Sequence, residues 1–352
     1  MNTHDLPMVI FTLFSQMAVG TFVALGVIQL AIGNRHTQQV RARIIAPVLY
    51  AIGPVLVIGL LVSMLHMNDI TNTFNVIRHP GSSWLSREIL FGVSFAAFGF
   101  LFALLEWFEK GSYALRQGIA VITAILGVGL LVSESMIYAS LEAVPAWHSW
   151  FIPLEFFGTA ALLGALAVGA ALMMTSWVRE RRTLSPQADA APADAAEAEP
   201  DHGADPSASA APAGGGLAVQ IRERVSRINA PTSTEEWTVT ARILRWVAVV
   251  GAATSIILLV ATPLYLVQLN LGGAAAQESF AILAGPMLAW RLILLGATAF
   301  ILGFFVYRMA ETVTLSRARV LVTVVMVSLV LALTGEFLGR LLHYESMVRM
   351  GL

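Results

Sequence analysis

The stretch 333–345, LTGEFLGRLLHYE, closes a long apolar run that begins near Val320. Glu336, Arg340 and His343 stand at i, i+4 and i+7, so on a helix they form one stripe rather than a scatter. A charged stripe at membrane depth is costly. It must pack inside protein, face water at a helix end, or perform chemistry.

The rest of the chain establishes that the setting is a membrane. Of its 352 residues 57% are apolar and 12% charged, and its mean hydropathy is +0.75. A soluble chain carries about twice that charge fraction. Eight apolar segments are long enough to cross a hydrocarbon core of about 30 Å. They fall near Pro7–Ile32, Ile44–Leu65, Glu88–Phe108, Gly118–Leu141, Ser149–Val178, Ile243–Leu269, Gly285–Tyr307 and Arg319–Leu342. The fold class is therefore an all-α membrane protein of eight transmembrane helices. The first segment has no Lys or Arg before it and no small-residue cleavage site after it, so it is read as a retained span.

Sixteen of the 21 Lys and Arg residues lie in alternate loops: Arg35 to Arg43, Lys110 and Arg116, Arg179 to Arg245, and Arg308 to Arg319. The positive-inside rule puts these loops in the cytoplasm and both termini outside. Residues 179–240 are read as a disordered cytoplasmic linker, because SPQADAAPADAAEAEPDHGADPSASAAPAGGG has almost no large apolar residue. It divides the chain into a first bundle half of four to five spans, 1–178, and the remaining spans, 241–352. Within the linker, LAVQIRERVSRI reads either as a basic amphipathic helix on the anionic leaflet or as a loop with arginines. Arg87 and Glu134 in spans three and four match Arg291 and Glu336 in spans seven and eight in order and spacing. Two parallel four-helix halves would produce that match, and so would coincidence.

Depth sorts the polar residues. At 1.5 Å per residue, Glu134 and Glu336 lie about 24–25 Å from the cytoplasmic ends of their helices. Glu155 and Arg291 lie about two turns in from outside, His66 ends span two, and Arg87 and Glu88 open span three. The inner half is nearly all apolar, which disfavours a transporter or proton channel, since either needs polar groups reaching both faces. A pocket open to the outer half suits a lipophilic molecule with a protonatable head, such as a quinol. A base beside its ring oxygens would be a buried carboxylate or a histidine. Singly, each residue has a plainer reading. Glu336 and Arg340 form an i,i+4 ion pair, Arg87 and Arg291 snorkel to headgroups, and Trp84, Trp147, Trp150 and Trp290 make an interfacial belt.

The chain has no cysteine, so it cannot supply thiolate ligands to an iron–sulfur cluster. No histidine of the seven falls in mid-membrane, which argues against bound haem. No other metal site and no nucleic-acid partner is expected.

Five stretches together resemble the membrane-anchor subunit family of dimethyl sulfoxide reductase, the anchor of a molybdoenzyme complex. They are PMVIFTLFSQMAVGTF (7–22), SMLHMNDITNTFNVIRHPGSSWLSREI (63–89), VPAWHSWFIP (144–153), AWRLILL (289–295) and LTGEFLGRLLHY (333–344). The resemblance implies a menaquinol-oxidising anchor in the bacterial inner membrane, serving anaerobic respiration. It implies periplasmic partners: a four-cluster iron–sulfur subunit that takes the electrons, and a molybdopterin catalytic subunit. It puts His66 at the family's quinol-binding histidine. His66 and Glu336 are then the expected catalytic pair. Arg87 and Arg291 would orient the quinol head, Arg340 would pair with Glu336, and His343 would complete the site. Anchors of polysulfide- and tetrathionate-reductase complexes share this architecture, and a pure scaffold without quinol chemistry is the other alternative. The long linker departs from the family's short connection.

Overall fold

The structure, a computed structural model, describes residues 6–33, 36–64, 78–184, 217–312, 314 and 318–351. Every regular element among the described residues is helical. Eight helices are long and apolar enough to span a bilayer. They are α1 (Leu6–Ile32), α2 (Gln38–Met64), α3 (Trp84–Trp107), α4 (Tyr113–Ala139), α5 (Phe151–Leu184), α7 (Thr234–Asn270), α9 (Pro286–Thr312) and α10 (Ala318–Glu345). Two short helices join them, α6 (Leu217–Asn229) and α8 (Ala274–Leu283). The eight expected spans are all present.

Several boundaries differ from the expectation. α5 continues to Leu184 and α7 begins at Thr234, so both ends of the segment read as linker are helical. Among the described residues five spans precede that segment and three follow it. A capping box explains the early start of α7. Ser233 accepts from the Glu236 amide, and the Glu236 carboxylate accepts from the Ser233 amide. The basic segment 217–229 does form a helix. Its far end is tied to the bundle by Arg43, which donates to the carbonyls of Arg227, Ala230 and Pro231 and pairs with Glu236 at 2.5 Å.

α5 is the most buried span and packs against α1, α2, α4, α7 and α10, whereas α3 is the least buried and pairs mainly with α4. One apolar core joins α1 to α5, and a second joins α1 and α5 to α7, α9 and α10. Because α1 and α5 serve both cores, the packing itself draws no boundary between spans one to four and five to eight.

The α1–α5 crossing depends on two glycines. A Cβ on Gly20 would overlap the backbone carbonyl of Ala160, and one on Gly164 would overlap the backbone of Gly20 and Thr21. In lipid there is no water to expel between helices, so such close backbone approach supplies much of the association. Gly20→Ala is expected to destabilise the protein by roughly 1–3 kcal/mol, because rigid backbone must move to admit the methyl. Thermal unfolding in detergent measures this, and an unchanged midpoint would show that the crossing tolerates separation.

Candidate functional site

The polar residues that the sequence places at one depth meet in the structure. With eight spans, the starts of α1, α3, α5 and α9 share one end of the bundle with the finishes of α2, α4, α7 and α10. At that terminal end, inside the bundle, lie Glu134, Glu155, Arg291, Glu336, Arg340 and His343, each at most 4% exposed.

Arg291 is the hub. Its Nη2 stands 2.5 Å from Glu155 Oε1 and 3.7 Å from Glu336 Oε2. The Thr159 hydroxyl donates to Glu336 Oε2 at 2.6 Å. The guanidinium fits because α10 presents Gly339 to it, and a Cβ there would collide with Nε and Cζ of Arg291. Gly335, one turn earlier, lets α10 approach Leu294 of α9 in the same way. The opening stretch thus holds a second pattern, G-x-x-x-G, interleaved with its charges.

Arg340 turns the other way. It donates to Gln16 Oε1 at 2.9 Å and lies over the Phe156 ring, its Cζ 3.9 Å from the centroid. The carboxamide of Gln16 passes the connection to Glu134, whose Oε1 also accepts from Ser15 at 2.6 Å. The expected i,i+4 pair between Glu336 and Arg340 is therefore replaced by bonds to other helices. Both side chains face the interior, where neighbouring spans offer Thr159, Arg291 and Gln16 at closer range.

His343 stacks on Trp147 with centroids 5.3 Å apart and an interplanar angle of 11°, and it meets the edge of Tyr138. Trp147 is buried and donates from Nε1 to the His343 carbonyl. It is thus a packing residue of the site, while Trp150 and Trp290 are exposed as a belt requires. Tyr138 and Tyr344 bond through their hydroxyls at 2.9 Å.

Not every polar atom is satisfied. Among the described residues Glu336 Oε1, His343 Nε2, and Nε and Nη1 of Arg340 have no hydrogen-bond partner. A buried polar atom left unpaired costs free energy, and such atoms concentrate where a ligand or water completes the bonding. A cavity of about 20 Å³ opens beside His343, bordered by Glu155, Tyr265, Arg291 and Ser346, with room for about one water molecule.

One expected site residue, Arg87, is not brought into this cluster. Arg87 stacks over Trp84 and donates to the carbonyls of Pro80 and Gly81, closing the turn before α3. It is thus not the counterpart of the buried Arg291 that the sequence spacing suggested. His66 lies outside the described residues. Conversely, Ser15, Gln16, Glu134, Glu155 and Thr159 belong to the site and were not among its expected members. Glu134 and Glu155 carry a visible signal as lone carboxylates at the depth of Glu336. The hydroxyl and amide residues carry none without the tertiary arrangement.

The fold and the buried ionic cluster define a polytopic helical membrane subunit with its polar chemistry gathered at one end. The chain belongs to the DMSO reductase anchor subunit (DmsC) family, whose model matches residues 1–186. It is similar to the C chain of anaerobic dimethyl sulfoxide reductase from Escherichia coli K12, at 35% identity over 163 residues, 46% of this chain and 56% of that protein. The corresponding protein of Haemophilus influenzae is 28% identical over 182 residues, 51% of this chain and 63% of that one. The C subunit of sulfite dehydrogenase from Allochromatium vinosum is 27% identical over 136 residues, 34% and 42% of the two proteins. In each case the chain spans less than two thirds of the relative's length. The family match covers α1 to α5, so Glu134, Glu155, Ser15 and Gln16 lie inside it, and Arg291, Glu336, Arg340 and His343 beyond it.

Proposed function

We propose that this chain anchors a dimethyl sulfoxide reductase-type molybdoenzyme complex and oxidises menaquinol near the outer face of the bacterial inner membrane. One observation carries the reading: a buried cluster of carboxylates, guanidinium groups and a histidine, with several polar atoms unpartnered, at the terminal end of an otherwise apolar bundle. The bias of Lys and Arg to the other end supports placing both termini, and with them the cluster, on the periplasmic side.

Oxidation of a quinol to a quinone releases two electrons and two protons. The protons require bases near the ring oxygens, and Glu336 Oε1 and His343 Nε2 are available acceptors. Arg291 and Arg340 supply the positive charge that the neighbouring carboxylates and the quinol head face. The cavity beside Arg291 and His343 has room for about one water and not for a ring. The quinol head therefore docks against the cluster, and a water passes the proton inward. The electrons leave to an iron–sulfur subunit on the same face, which feeds a molybdopterin subunit. The name of the sulfite dehydrogenase relative supports assigning the terminal substrate to the partner's pocket and not to this chain. The segment between α5 and α6 belongs, on the same charge bias, to the cytoplasmic side, away from this chemistry.

His66→Leu is expected to abolish quinol-driven reduction by the purified complex while the partners remain bound. Normal turnover in that variant would remove His66 from the site. Titration with a quinone analogue separates the reading from a pure scaffold, which would bind none.

A further inference from the structure

At the linker-side end of the bundle, two openings meet at Ala42. The first is a cavity of about 280 Å³ bounded by Gln38 and Gln39 in the first turn of α2, with Arg43, Glu109, Arg227 and Ile228 around it. The second, about 50 Å³, runs between α2 and α3 along Ile45, Ala46, Leu49, Tyr50, Ala103 and Trp107, with Glu106, the ion-pair partner of Arg116, on its wall. Residues 38, 39, 42, 45, 46 and 49 recur at steps of three and four, so they form one face of α2. That face is polar for its first turn and apolar for the next two. From Gln38 to Leu49 it rises about 16 Å, the span of a headgroup and the upper part of an acyl chain. The groove stays open because α3 packs chiefly on α4.

The polar mouth favours an anion. It lies at the start of α2, where the helix dipole attracts phosphate, although Thr37 already accepts from the amides of Val40 and Arg41. Arg227 and two carboxamides line it with Glu109, while Arg43 is taken up by Glu236 and by the carbonyls of residues 227, 230 and 231. α6, which forms one wall, carries Arg222, Arg224 and Arg227 against Glu223 alone. Its aliphatic Ile221 and Val225, four residues apart on one face, stay exposed. That suits a helix held in the headgroup layer.

We propose that this paired cavity is a binding site for an anionic glycerophospholipid. Its phosphate sits at the mouth on Gln38, Gln39 and Arg227, and one acyl chain runs down the α2–α3 groove. The Arg43 clamp on residues 227–231 fixes the distance between the two parts, so the site is preformed.

The test is native mass spectrometry of the full chain, purified in mild detergent and supplied with dioleoyl-phosphatidylglycerol or dioleoyl-phosphatidylcholine. The phosphatidylglycerol is expected to be retained about tenfold better, and Arg227→Glu to remove about tenfold of that retention. Ala103→Phe, which fills the groove, should lower retention of both lipids. Arg222→Glu, off the cavity wall, should leave retention within about twofold, as expected for a site rather than a diffuse charge. Arg227 lies on an exposed helix, so its variant tests the proposal even if Ala103→Phe misfolds. Equal retention of the two lipids, an unaffected Arg227→Glu variant, or equal loss in Arg222→Glu would overturn the assignment. So would displacement of the lipid by millimolar inorganic phosphate, or a quinone in its place.

Discussion

Arg291→Met is expected to cost about 3–5 kcal/mol of stability, the range for breaking a buried ion pair by removing one partner. The geometry explains so large a value. Glu155 loses its contact at 2.5 Å, and Glu336 keeps only the Thr159 hydroxyl and the more distant field of Arg340. Two carboxylates then face each other in an apolar interior with nothing between them. Combining Arg291→Met with Glu155→Gln should recover part of the loss, because one uncompensated charge disappears with its partner. Arg291→Lys should recover less, since an ammonium cannot reach both carboxylates as the fork does. Unfolding of the purified single and double variants measures all three. If Arg291→Met unfolds like the parent, the cluster is hydrated and its contacts are not the support of α9.

Glu336→Gln is the complementary experiment, aimed at chemistry rather than stability. Glutamine is nearly isosteric and can still accept from Thr159, so the complex should assemble and unfold almost normally. If Glu336 takes a quinol proton, quinol oxidation should drop by roughly 10²–10⁴-fold, the usual contribution of a positioned base. Turnover with an artificial electron donor that bypasses the membrane subunit should be untouched. Quinol oxidation within twofold of the parent would leave Glu336 a structural ligand of Arg291, and the proton would have to go to His343 or His66.

The stripe in 333–345 was legible as a stripe because helix periodicity alone sets which residues share a face. What each residue does on that face was not. The sequence offers Glu336 and Arg340 to one another at i,i+4, yet both find better partners on other helices, and those partners sit 45 to 324 positions away. Arg87 and Arg291 illustrate the same limit. Each follows a tryptophan near a helix start, but one lies in a turn of loop carbonyls and the other beneath Gly339. The small-residue pattern at Gly335 and Gly339 was in plain sight and would have marked the α9 face of the stripe. Trp147 looked like its interfacial neighbours because depth was readable and burial was not. The eight spans were clear because crossing a bilayer imposes length and apolarity segment by segment. α8 was missed for the converse reason: at ten residues it crosses nothing.

The Arg43 clamp bears on how the chain can be built. Carbonyls of residues 227, 230 and 231 are bound to α2, and α7 starts three residues later from its own capping box. The second part of the chain is therefore registered on the first by contacts within the bundle, and the intervening tether only raises their effective concentration. A tether of this kind should be dispensable. Co-expressed fragments 1–200 and 201–352 are expected to assemble into a particle that co-purifies through a tag on either piece. Fragments that fail to meet would show that covalent continuity is itself needed for insertion.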